Sequence, residues 1–239
     1  MQGIKLVIFD IAGTVIEDAG QVPEAFSAAL GHHGIELTND SIRKVRGASK
    51  REAIQRFVEH QSRIKNADVN ARTDEIYNSF RSILASLYEK NGVREIAGAT
   101  ELFDWLQKRG VCVALNTGFD RTITNLLLNS MHWNGDLINA VACGDDVTQG
   151  RPAPDLIFKA MERSEVASVH HVANIGDTVL DLQAGQNAGV RFNLGVLSGA
   201  HTREQLEREP HTYLLSSVAE LPTLWESFSS MLLLTDAQL

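Results

Sequence analysis

Polar residues follow several apolar runs of the sequence, and their types suit the binding of a metal ion and a phosphoryl group. Asp10 directly follows one run of apolar, largely β-branched residues, Thr117 follows a second, and Asp177 and Asp181 follow a third. Two carboxylates on neighbouring strands would repel each other unless a cation lay between them, and a ligand set made only of oxygens suits Mg²⁺. Thr117, the backbone amides beside it and the fixed positive charge of Arg151 are groups that hold phosphoryl oxygens.

Simpler interpretations of single residues stay open at this point. An Asp after one strand is equally typical of a turn. Asp145 and Asp146, in the loop before Arg151, either support that arginine, lie near the metal or belong to a solvated loop. A polar residue at one strand end is weak evidence for a functional site. Four strand ends that all carry polar residues of the required types favour one shared site. A buried charge there is costly unless it is paired or used in catalysis.

The elements that position these residues alternate between strands and helices. The run before Asp10 is apolar without alternation, which is typical of a strand buried on both faces of a parallel sheet. Residues 17–91 show helical spacing and no strand pattern, and strands alternate with helices from about residue 98. This order predicts an α/β fold with a doubly wound parallel sheet, at whose carboxyl edge ligands bind. Helices are predicted at 22–34, 38–45, from 49 onward, 71–90, 101–109, 121–129, 155–163, 179–188, 202–207 and 217–230, and further strands at 111–116, 140–143, 171–175 and 191–196.

The composition is that of an ordinary globular protein with an acidic balance. The chain has 239 residues, of which 44% are hydrophobic and 22% charged, and its formal net charge is −8. A protein this acidic is not expected to bind nucleic acid or an anionic membrane surface through its overall charge. A small anionic substrate would need a local cluster of cations.

The two cysteines and the start of the chain bear on localisation. Cys112 and Cys143 both lie in apolar segments, which predicts two buried, reduced thiols in a reducing compartment. The first residues show no signal-like apolar region, and no apolar run approaches membrane-spanning length. We therefore expect a cytoplasmic protein.

The order of these motifs resembles the haloacid dehalogenase superfamily. The sequence has Asp-x-x-Gly-Thr from residue 10, Thr-Gly from 117, a basic residue before Pro at 151, and Gly-Asp-Thr-x-x-x-Asp from 176. The resemblance covers residues 4 to about 222. It implies a Rossmann-like core domain formed by residues 1–16 and 92–239. It also implies an inserted helical C1 cap domain at 17–91, with polar hinges near 17–21 and 91–98.

The resemblance also implies roles for single residues. Asp10 would be the nucleophile that becomes an aspartyl-phosphate. Mg²⁺ would be bound by Asp10, the backbone carbonyl of Ala12 and Asp177, with Asp181 as a further ligand or as a support for the ligands. Thr117 and Arg151 would belong to the catalytic set.

Two departures from the common pattern narrow the resemblance. Most phosphatases of the superfamily have an Asp two residues after the nucleophile as general acid, where this chain has Ala12, and a Lys where it has Arg151. The same two features resemble phosphonoacetaldehyde hydrolases, the phosphonatases. Cleavage of a C–P bond leaves a carbanion rather than an alkoxide, and that family stabilises it through a Schiff base between a cap lysine and the substrate aldehyde.

Lys50 is the candidate for that lysine. It stands three residues after Gly47, the spacing at which phosphonatases carry theirs. Its basic neighbours would attract a phosphonate and lower the pKa of the amine; the alternative is a solvated basic patch at a helix–helix turn. The residues that surround Lys50 in sequence are Arg43, Lys44, Arg46 and Arg51, and the substrate-binding set implied by the resemblance is Ala12, Arg46, Gly47, Gly118 and Phe119.

Other positions depart from phosphonatase itself. Ala53 stands where that family has a histidine, Arg46 where it has a methionine and Phe119 where it has a tyrosine. His32 or His33 would supply the missing acid–base group, or they are simply polar residues at a helix end. The charge of Arg46 favours a substrate with an additional anionic or polar group.

The leading hypothesis is a Mg²⁺-dependent hydrolase that cleaves the C–P bond of a 2-oxoalkyl phosphonate. The alternatives are a phosphatase or phosphomutase acting on a small phosphate monoester, a C–halogen hydrolase, and an inactive scaffold that binds phosphate or a partner. Ala12 argues against the first alternative and the retained metal motif against the second. Because phosphonatase-like proteins often dimerise through the cap, the resemblance also implies a homodimer.

Overall fold

The protein is described by a computed structural model that covers residues 1, 3–61 and 66–227, without the side chains of residues 39, 43, 44, 61, 66 and 67. A six-stranded parallel sheet runs through its core in the order β3-β2-β1-β4-β5-β6. This confirms the predicted α/β, doubly wound fold. The strands are β1 (Leu6–Asp10), β2 (Cys112–Asn116), β3 (Ala140–Ala142), β4 (Val172–Gly176), β5 (Phe192–Val196) and β6 (Tyr213–Leu215).

Strand β1 lies at the centre of the sheet because both of its faces are apolar. All five of its residues are buried. Val7 and Phe9 belong to the hydrophobic cluster on one face, and Leu6 and Ile8 belong to the cluster on the other. Successive side chains of a strand point to opposite faces, so an unbroken apolar run fills both layers.

Helices cover both faces of the sheet and form a separate block between β1 and β2. The helices are α1 (Gln21–His32), α2 (Asn39–Lys44), α3 (Lys50–Gln61), α4 (Asn66–Asn91), α5 (Ala99–Gln107), α6 (Arg121–Ser130), α7 (Asp155–Arg163), α8 (Val179–Ala188) and α9 (Arg203–Leu206), with 3₁₀ turns at Gly144–Asp146, Val169–His171 and Val218–Glu220 and a last helical segment at 221–227.

The helical block, which we define as α1–α4, has its own apolar interior. The ring of Phe26 on α1 contacts Phe57 of α3 and Phe80 of α4 edge-on, with both pairs of ring centroids 5.9 Å apart. The two chain segments that enter and leave the block lie side by side. The Glu17 amide donates to the Arg94 carbonyl, and the Ile96 amide donates to the Val15 carbonyl, each at 2.9 Å.

The predicted elements agree with the structure except at a few ends. Helix α4 begins five residues before the predicted start at 71, and strand β6 was not predicted. Three residues at the sheet edge, with Tyr213 exposed, are too few to show an alternating pattern. The end of the predicted helix 217–230 lies outside the described residues. No helix in the described part of the chain is long and apolar enough to cross a membrane.

Candidate active site

The carboxyl ends of β1, β2 and β4 bring the predicted polar residues together. Strand β1 ends at Asp10, which lies opposite Asn116 at the end of β2 in the parallel register. Asp177 and Asp181 follow β4 on the other side of β1. The ligand atoms of Asp10, Asp177 and Asp181 all lie within 4.8 Å of one another, and all three side chains are buried.

Arg151 is the cation at the centre of this cluster. Its side chain is 1% exposed, and its Nη1 lies 2.7 Å from Asp10 Oδ1 and 2.9 Å from Asp181 Oδ1. Its Nη2 donates to both oxygens of Asn116, to the backbone carbonyl at 3.1 Å and to Oδ1 at 2.5 Å. The guanidinium is therefore held by two carboxylates and one asparagine, as its planar set of donors allows.

Asn116 is a site residue that the sequence analysis did not single out. It looks like one more polar residue at the end of an apolar run, and nothing local indicates that its oxygens accept from an arginine 35 residues away. The available signal was its place at the end of β2, directly before Thr117, among residues expected at the same sheet edge.

Asp177 is fixed by hydrogen bonds rather than by an ion pair in the part of the chain that the structure describes. Its Oδ1 accepts from the Thr14 hydroxyl at 3.2 Å and its Oδ2 from the Ala200 amide at 2.6 Å. Gly13 comes so close that a Cβ there would lie 2.4 Å from Asp177 Oδ2, and its φ is +93°. Burial, with repulsion from Asp10 and Asp181, raises the pKa of Asp177 well above its usual value.

Asp181 lies in the first turn of helix α8 and also contacts the site. Its Oδ2 accepts from the Thr178 amide at 3.0 Å and from the Thr178 hydroxyl at 2.5 Å, as part of a capping box. Its other oxygen contacts Arg151. Both oxygens therefore already have partners, which fits a residue that supports the other carboxylates at least as well as a direct ligand.

The three carboxylates fit a divalent cation by their chemistry. Their oxygens are the ligand type that Mg²⁺ prefers, and one arginine does not neutralise three buried carboxylates. Burial raises the pKa of Asp10 to about 6 even though Arg151 lowers it. A bound cation would favour the charged forms of Asp10 and Asp177. The residues present thus suit the predicted magnesium site, in which Asp10 and Asp177 would be side-chain ligands.

Lys50 approaches this cluster from the helical block. The residue is 8% exposed, and its Nζ donates to the Ala48 carbonyl at 3.0 Å and lies 5.4 Å from the centroid of the Phe119 ring. Burial lowers the pKa of the Lys50 amine to about 8, against the charge of Asp10, which raises it. The cation that lowers it further is Arg151 rather than a sequence neighbour.

Three further contacts hold the helical block against the sheet edge. The Lys50 amide donates to the Gly118 carbonyl at 3.3 Å, and Arg151 Nη1 donates to the Gly47 carbonyl at 3.3 Å. The Gly150 amide donates to Glu52 Oε1 at 2.8 Å. Gly47 has a φ of +82°, and a Cβ there would meet the Thr178 hydroxyl at 2.3 Å. The loop before α3 therefore packs directly on the carboxyl edge of the sheet.

One cavity joins the two sides of the site. The cavity is lined by every predicted site residue except Asp181. The predicted residues on its sheet side are Asp10, Ala12, Thr117, Gly118, Phe119, Arg151 and Asp177, and those on its helical side are Arg46, Gly47 and Lys50. Inside it, the Thr117 hydroxyl accepts from the Phe119 amide at 3.1 Å. The cavity also has lining residues that the sequence analysis did not assign to the site, namely Asp18, Val22, Pro23, Phe26, Ile42, Val45, Thr178 and Ala200.

Comparison with known proteins assigns the chain to a family. A model of haloacid dehalogenase-like hydrolases matches residues 7–194, which is more than half of the chain. The chain belongs to the haloacid dehalogenase-like hydrolase family. Two curated relatives of this hydrolase, both named phosphonoacetaldehyde hydrolase, come from strains AH187 and AH820 of Bacillus cereus. They are 29% and 30% identical over 206 residues, covering 82% of this chain and 77% of each relative.

Solved structures of other proteins share the fold of this hydrolase. A phosphonoacetaldehyde hydrolase-like protein from Oleispira antarctica matches with a TM-score of 0.79 at 24% identity, covering 93% of this chain and 91% of its own. A β-phosphoglucomutase from Clostridium difficile matches with a TM-score of 0.78 at 18% identity, covering 96% and 99%. At these identities the likeness concerns the fold alone.

Several residues considered for the site lie elsewhere in this hydrolase. His32 and His33 do not line the cavity, and His32 is exposed at the end of α1. Ala53 is buried in the hydrophobic core. Arg51 forms an exposed ion pair with Asp74 at 2.8 Å. The side chains of Arg43 and Lys44 lie outside the described residues.

Asp145 and Asp146 do not contact Arg151 among the described contacts. Asp146 pairs with Arg121 at 2.5 Å and with Arg163 at 2.6 Å, and Asp145 accepts from the Arg121 amide. These two arginines oppose the charge of the acidic pair. The acidic pair therefore joins its 3₁₀ turn to α6 and α7, and the described partners of Arg151 are other residues.

Proposed function

We propose that this hydrolase cleaves the C–P bond of a 2-oxoalkyl phosphonate, with Mg²⁺ as cofactor. The observation that carries the proposal is a buried lysine, Lys50, that shares one cavity with Asp10 and has a pKa lowered to about 8. A lysine with this environment exists partly as the free amine near neutral pH, which is the form that attacks a carbonyl. The curated relatives named phosphonoacetaldehyde hydrolase support the same chemistry.

The reaction begins with an imine. Thr117, the amide groups after it and Arg151 hold the phosphonate oxygens, which places the carbonyl carbon near Lys50. The amine adds to that carbon and water leaves, which gives an iminium ion. The Asp10 carboxylate then attacks phosphorus, the C–P bond breaks, and its electron pair moves into the iminium to form an enamine on Lys50.

Two hydrolytic steps complete the cycle. The enamine takes up a proton at carbon, and water releases the aldehyde or ketone and regenerates the amine. A second water attacks phosphorus of the aspartyl-phosphate, which releases inorganic phosphate and frees Asp10. Asp10 would be the nucleophile, Lys50 the electron sink and Arg151 the fixed cation beside both.

Asp10, the carbonyl of Ala12 and Asp177 would hold the metal, with Asp181 supporting them. When bound, Mg²⁺ would offset the negative charge that the carboxylates and the phosphonate bring together. The proposal also accounts for Ala12, which stands where phosphatases have a general acid that protonates an oxygen leaving group. No such acid is needed when the electron pair of a broken C–P bond moves into an iminium ion.

The helical block would act as a cap domain comprising residues 17–91, with the core formed by 1–16 and 92–239. The chain enters the helical block near Glu17 and leaves it near Arg94. These two segments are hydrogen-bonded to each other, so they suit a hinge between the block and the core. Closure would bring Lys50 to the phosphonate and exclude water from the iminium. Cys143 is buried as predicted, whereas Cys112 is only half-buried, and the two free thiols fit a cytoplasmic location.

A second candidate function is hydrolysis or transfer of a phosphate monoester. The observation that favours it is Asp18, which lines the cavity from the segment before α1 and would act as the acid that Ala12 lacks. Asp18 Oδ1 accepts from the Gly20 amide at 3.1 Å, which keeps the side chain turned towards its own loop. The fold shared with a β-phosphoglucomutase is compatible with this alternative.

Reductive trapping separates the two functions. The protein is incubated with phosphonoacetaldehyde and sodium borohydride, its peptides are mapped by mass spectrometry, and phosphate release is measured in parallel without borohydride. We expect a reduction-dependent adduct on Lys50 and its loss in Lys50→Arg, which keeps the charge but not the nucleophilic amine. Phosphate release from monoesters with no adduct on Lys50 for any 2-oxo phosphonate would favour the second function.

A further inference from the structure

The helical block lines the cavity with hydrocarbon as well as with Lys50. Val22, Pro23 and Phe26 from α1 line it, together with Ile42 from α2 and Val45 just after α2. From these residues we infer that the substrate is a 2-oxoalkyl phosphonate with an apolar substituent on its carbonyl carbon, a ketone rather than an aldehyde. The inference rests on the proposed function and specifies its substrate.

The cavity has two chemically different ends. Asp10, Thr117, Arg151 and Asp177 make its sheet end charged and polar, which suits the phosphonate. Its far end is formed by the five apolar residues listed above, which we call the apolar wall. Lys50 lines the same cavity and lies where the helical block meets the sheet, since its amide donates to the Gly118 carbonyl. A carbonyl carbon within bonding reach of its amine therefore lies between the phosphonate and the helical side.

The covalent structure of the substrate indicates which of its groups would contact the apolar wall. In a 2-oxoalkyl phosphonate, phosphorus and the carbonyl substituent are attached to opposite ends of a two-carbon unit. With the phosphonate at the sheet end and the carbonyl carbon at Lys50, the substituent points away from the sheet. An aldehyde has only a hydrogen there, which leaves the apolar wall uncovered.

The exposure of the wall supports a bound hydrocarbon. Phe26 is buried, whereas Val22, Pro23, Ile42 and Val45 are only half-buried and lie on the cavity side of the helical block. Apolar side chains that remain partly open inside an active-site cavity gain free energy when a ligand covers them. A buried methylene is worth about 0.8 kcal/mol, which corresponds to an increase of about fourfold in kcat/KM.

Two further charged residues of the cavity do not favour a charged substituent. Arg46 and Asp18 both line the cavity and carry opposite charges. A carboxylate attached to the carbonyl carbon would be attracted by Arg46 and repelled by Asp18, so the pair provides no net charge to select it. This argues against the additional anionic group that Arg46 alone had suggested.

A substrate series measures the preference directly. Phosphate release is followed for phosphonoacetaldehyde and for 2-oxopropyl, 2-oxobutyl, 2-oxopentyl and 2-oxo-2-phenylethyl phosphonate, with phosphonopyruvate as the carboxylate-bearing member, and each is also tested by borohydride trapping. We expect kcat/KM to rise about fourfold per added methylene. The longer ketones should exceed phosphonoacetaldehyde, because their gain from burial accumulates until it outweighs the greater reactivity of an aldehyde towards an amine. Phosphonopyruvate should lie below 2-oxobutyl phosphonate.

Substitutions in the wall test whether it causes the preference. Val45→Thr keeps the shape of a half-buried side chain and adds a hydroxyl, and we expect it to lower the ratio of kcat/KM for 2-oxobutyl phosphonate over phosphonoacetaldehyde at least threefold. Ile42→Thr should act in the same direction, and Val45→Ile should keep the ratio high. Phe158→Ser, at an exposed position on α7, serves as a control that leaves the ratio unchanged.

The outcomes separate this inference from the proposed function. Trapping on Lys50 with phosphonoacetaldehyde preferred over every ketone would overturn the inference and leave C–P cleavage in place. A preference for phosphonopyruvate would overturn it in favour of Arg46 as an anion-binding residue. No adduct and no phosphate from any member of the series would overturn the inference and the proposed function together.

Discussion

The backbone amide of Lys50 donates a hydrogen bond to the carbonyl of Gly118 at 3.3 Å. This bond joins the first residue of α3 to the loop that follows β2, so the lysine and the proposed phosphonate-binding loop share one backbone contact. Gly118 permits this approach because it has no side chain. A Cβ at that position would lie 2.5 Å from the carbonyl oxygen of Ala48.

Gly118→Ala is therefore expected to push the start of α3, and Lys50 with it, away from the site. We predict a loss of at least about tenfold in kcat/KM for C–P cleavage, since small displacements of a reacting group are costly. Gly135→Ala is the matched control, because a Cβ there meets nothing within 4 Å. Steady-state kinetics with circular dichroism tests this, and equal activities of the two variants would contradict it.

The absence of a carboxylic acid at Ala12 predicts a change of leaving-group preference in Ala12→Asp. An acid that protonates an oxygen leaving group contributes about 10²–10⁴-fold. We expect hydrolysis of an alkyl phosphate monoester, which has a poor leaving group, to rise at least tenfold while C–P cleavage falls. Ala12→Asn has nearly the same shape but no proton to donate, so it should gain no monoesterase activity. Equal gains in both variants would show that a proton donor at position 12 is not the cause.

The environment of Lys50 predicts how imine formation depends on pH. Burial lowers the pKa of Lys50 to about 8, and the protonated amine cannot attack a carbonyl. The rate of cyanoborohydride trapping should therefore rise about tenfold per pH unit below 8 and level off above it, with about 1% of the amine free at pH 6. A profile that still rises between pH 9 and 10 would mean that Lys50 titrates like an exposed lysine.

Arg151 is predicted to resist replacement even by the lysine that other members of the family carry. In Arg151→Lys, one ammonium group cannot contact Asp10, Asp181, Asn116 and Gly47 at once, as the guanidinium does. Buried oxygens would then lack partners, so the free energy of unfolding should fall by about 2 kcal/mol. Activity should fall about tenfold to hundredfold.

Urea denaturation and kinetics of Arg151→Lys check this, with Arg163→Lys, which alters an arginine paired with Asp146 away from Arg151, as a comparison. Unchanged stability and activity in Arg151→Lys would mean that the contacts of Nη2 with Asn116 do not matter.

The fold class, the family and most of the candidate site could be predicted from the sequence. Strand β1 could be predicted because an unbroken apolar run is buried on both faces, and a strand in the middle of a parallel sheet provides that environment. Asp10, Thr117, Arg151 and Asp177 could be predicted because their positions at strand ends depend on local pattern and on a topology that brings those ends together. The spacing from Gly47 to Lys50 is local in the same sense.

Tertiary structure alone decided the environment of these residues. Asn116 became a partner of Arg151 through strand register and a contact across 35 residues, which no local pattern encodes. The sequence suggested neighbouring cations as the cause of a lowered pKa at Lys50, whereas burial, a property of the packed chain, is the main cause. Likewise, Val22 and Ile42 look like ordinary core residues of amphipathic helices in the sequence. Only the packing of the helical block against the sheet turns them towards the cavity, because a side chain's neighbours depend on which elements meet in space.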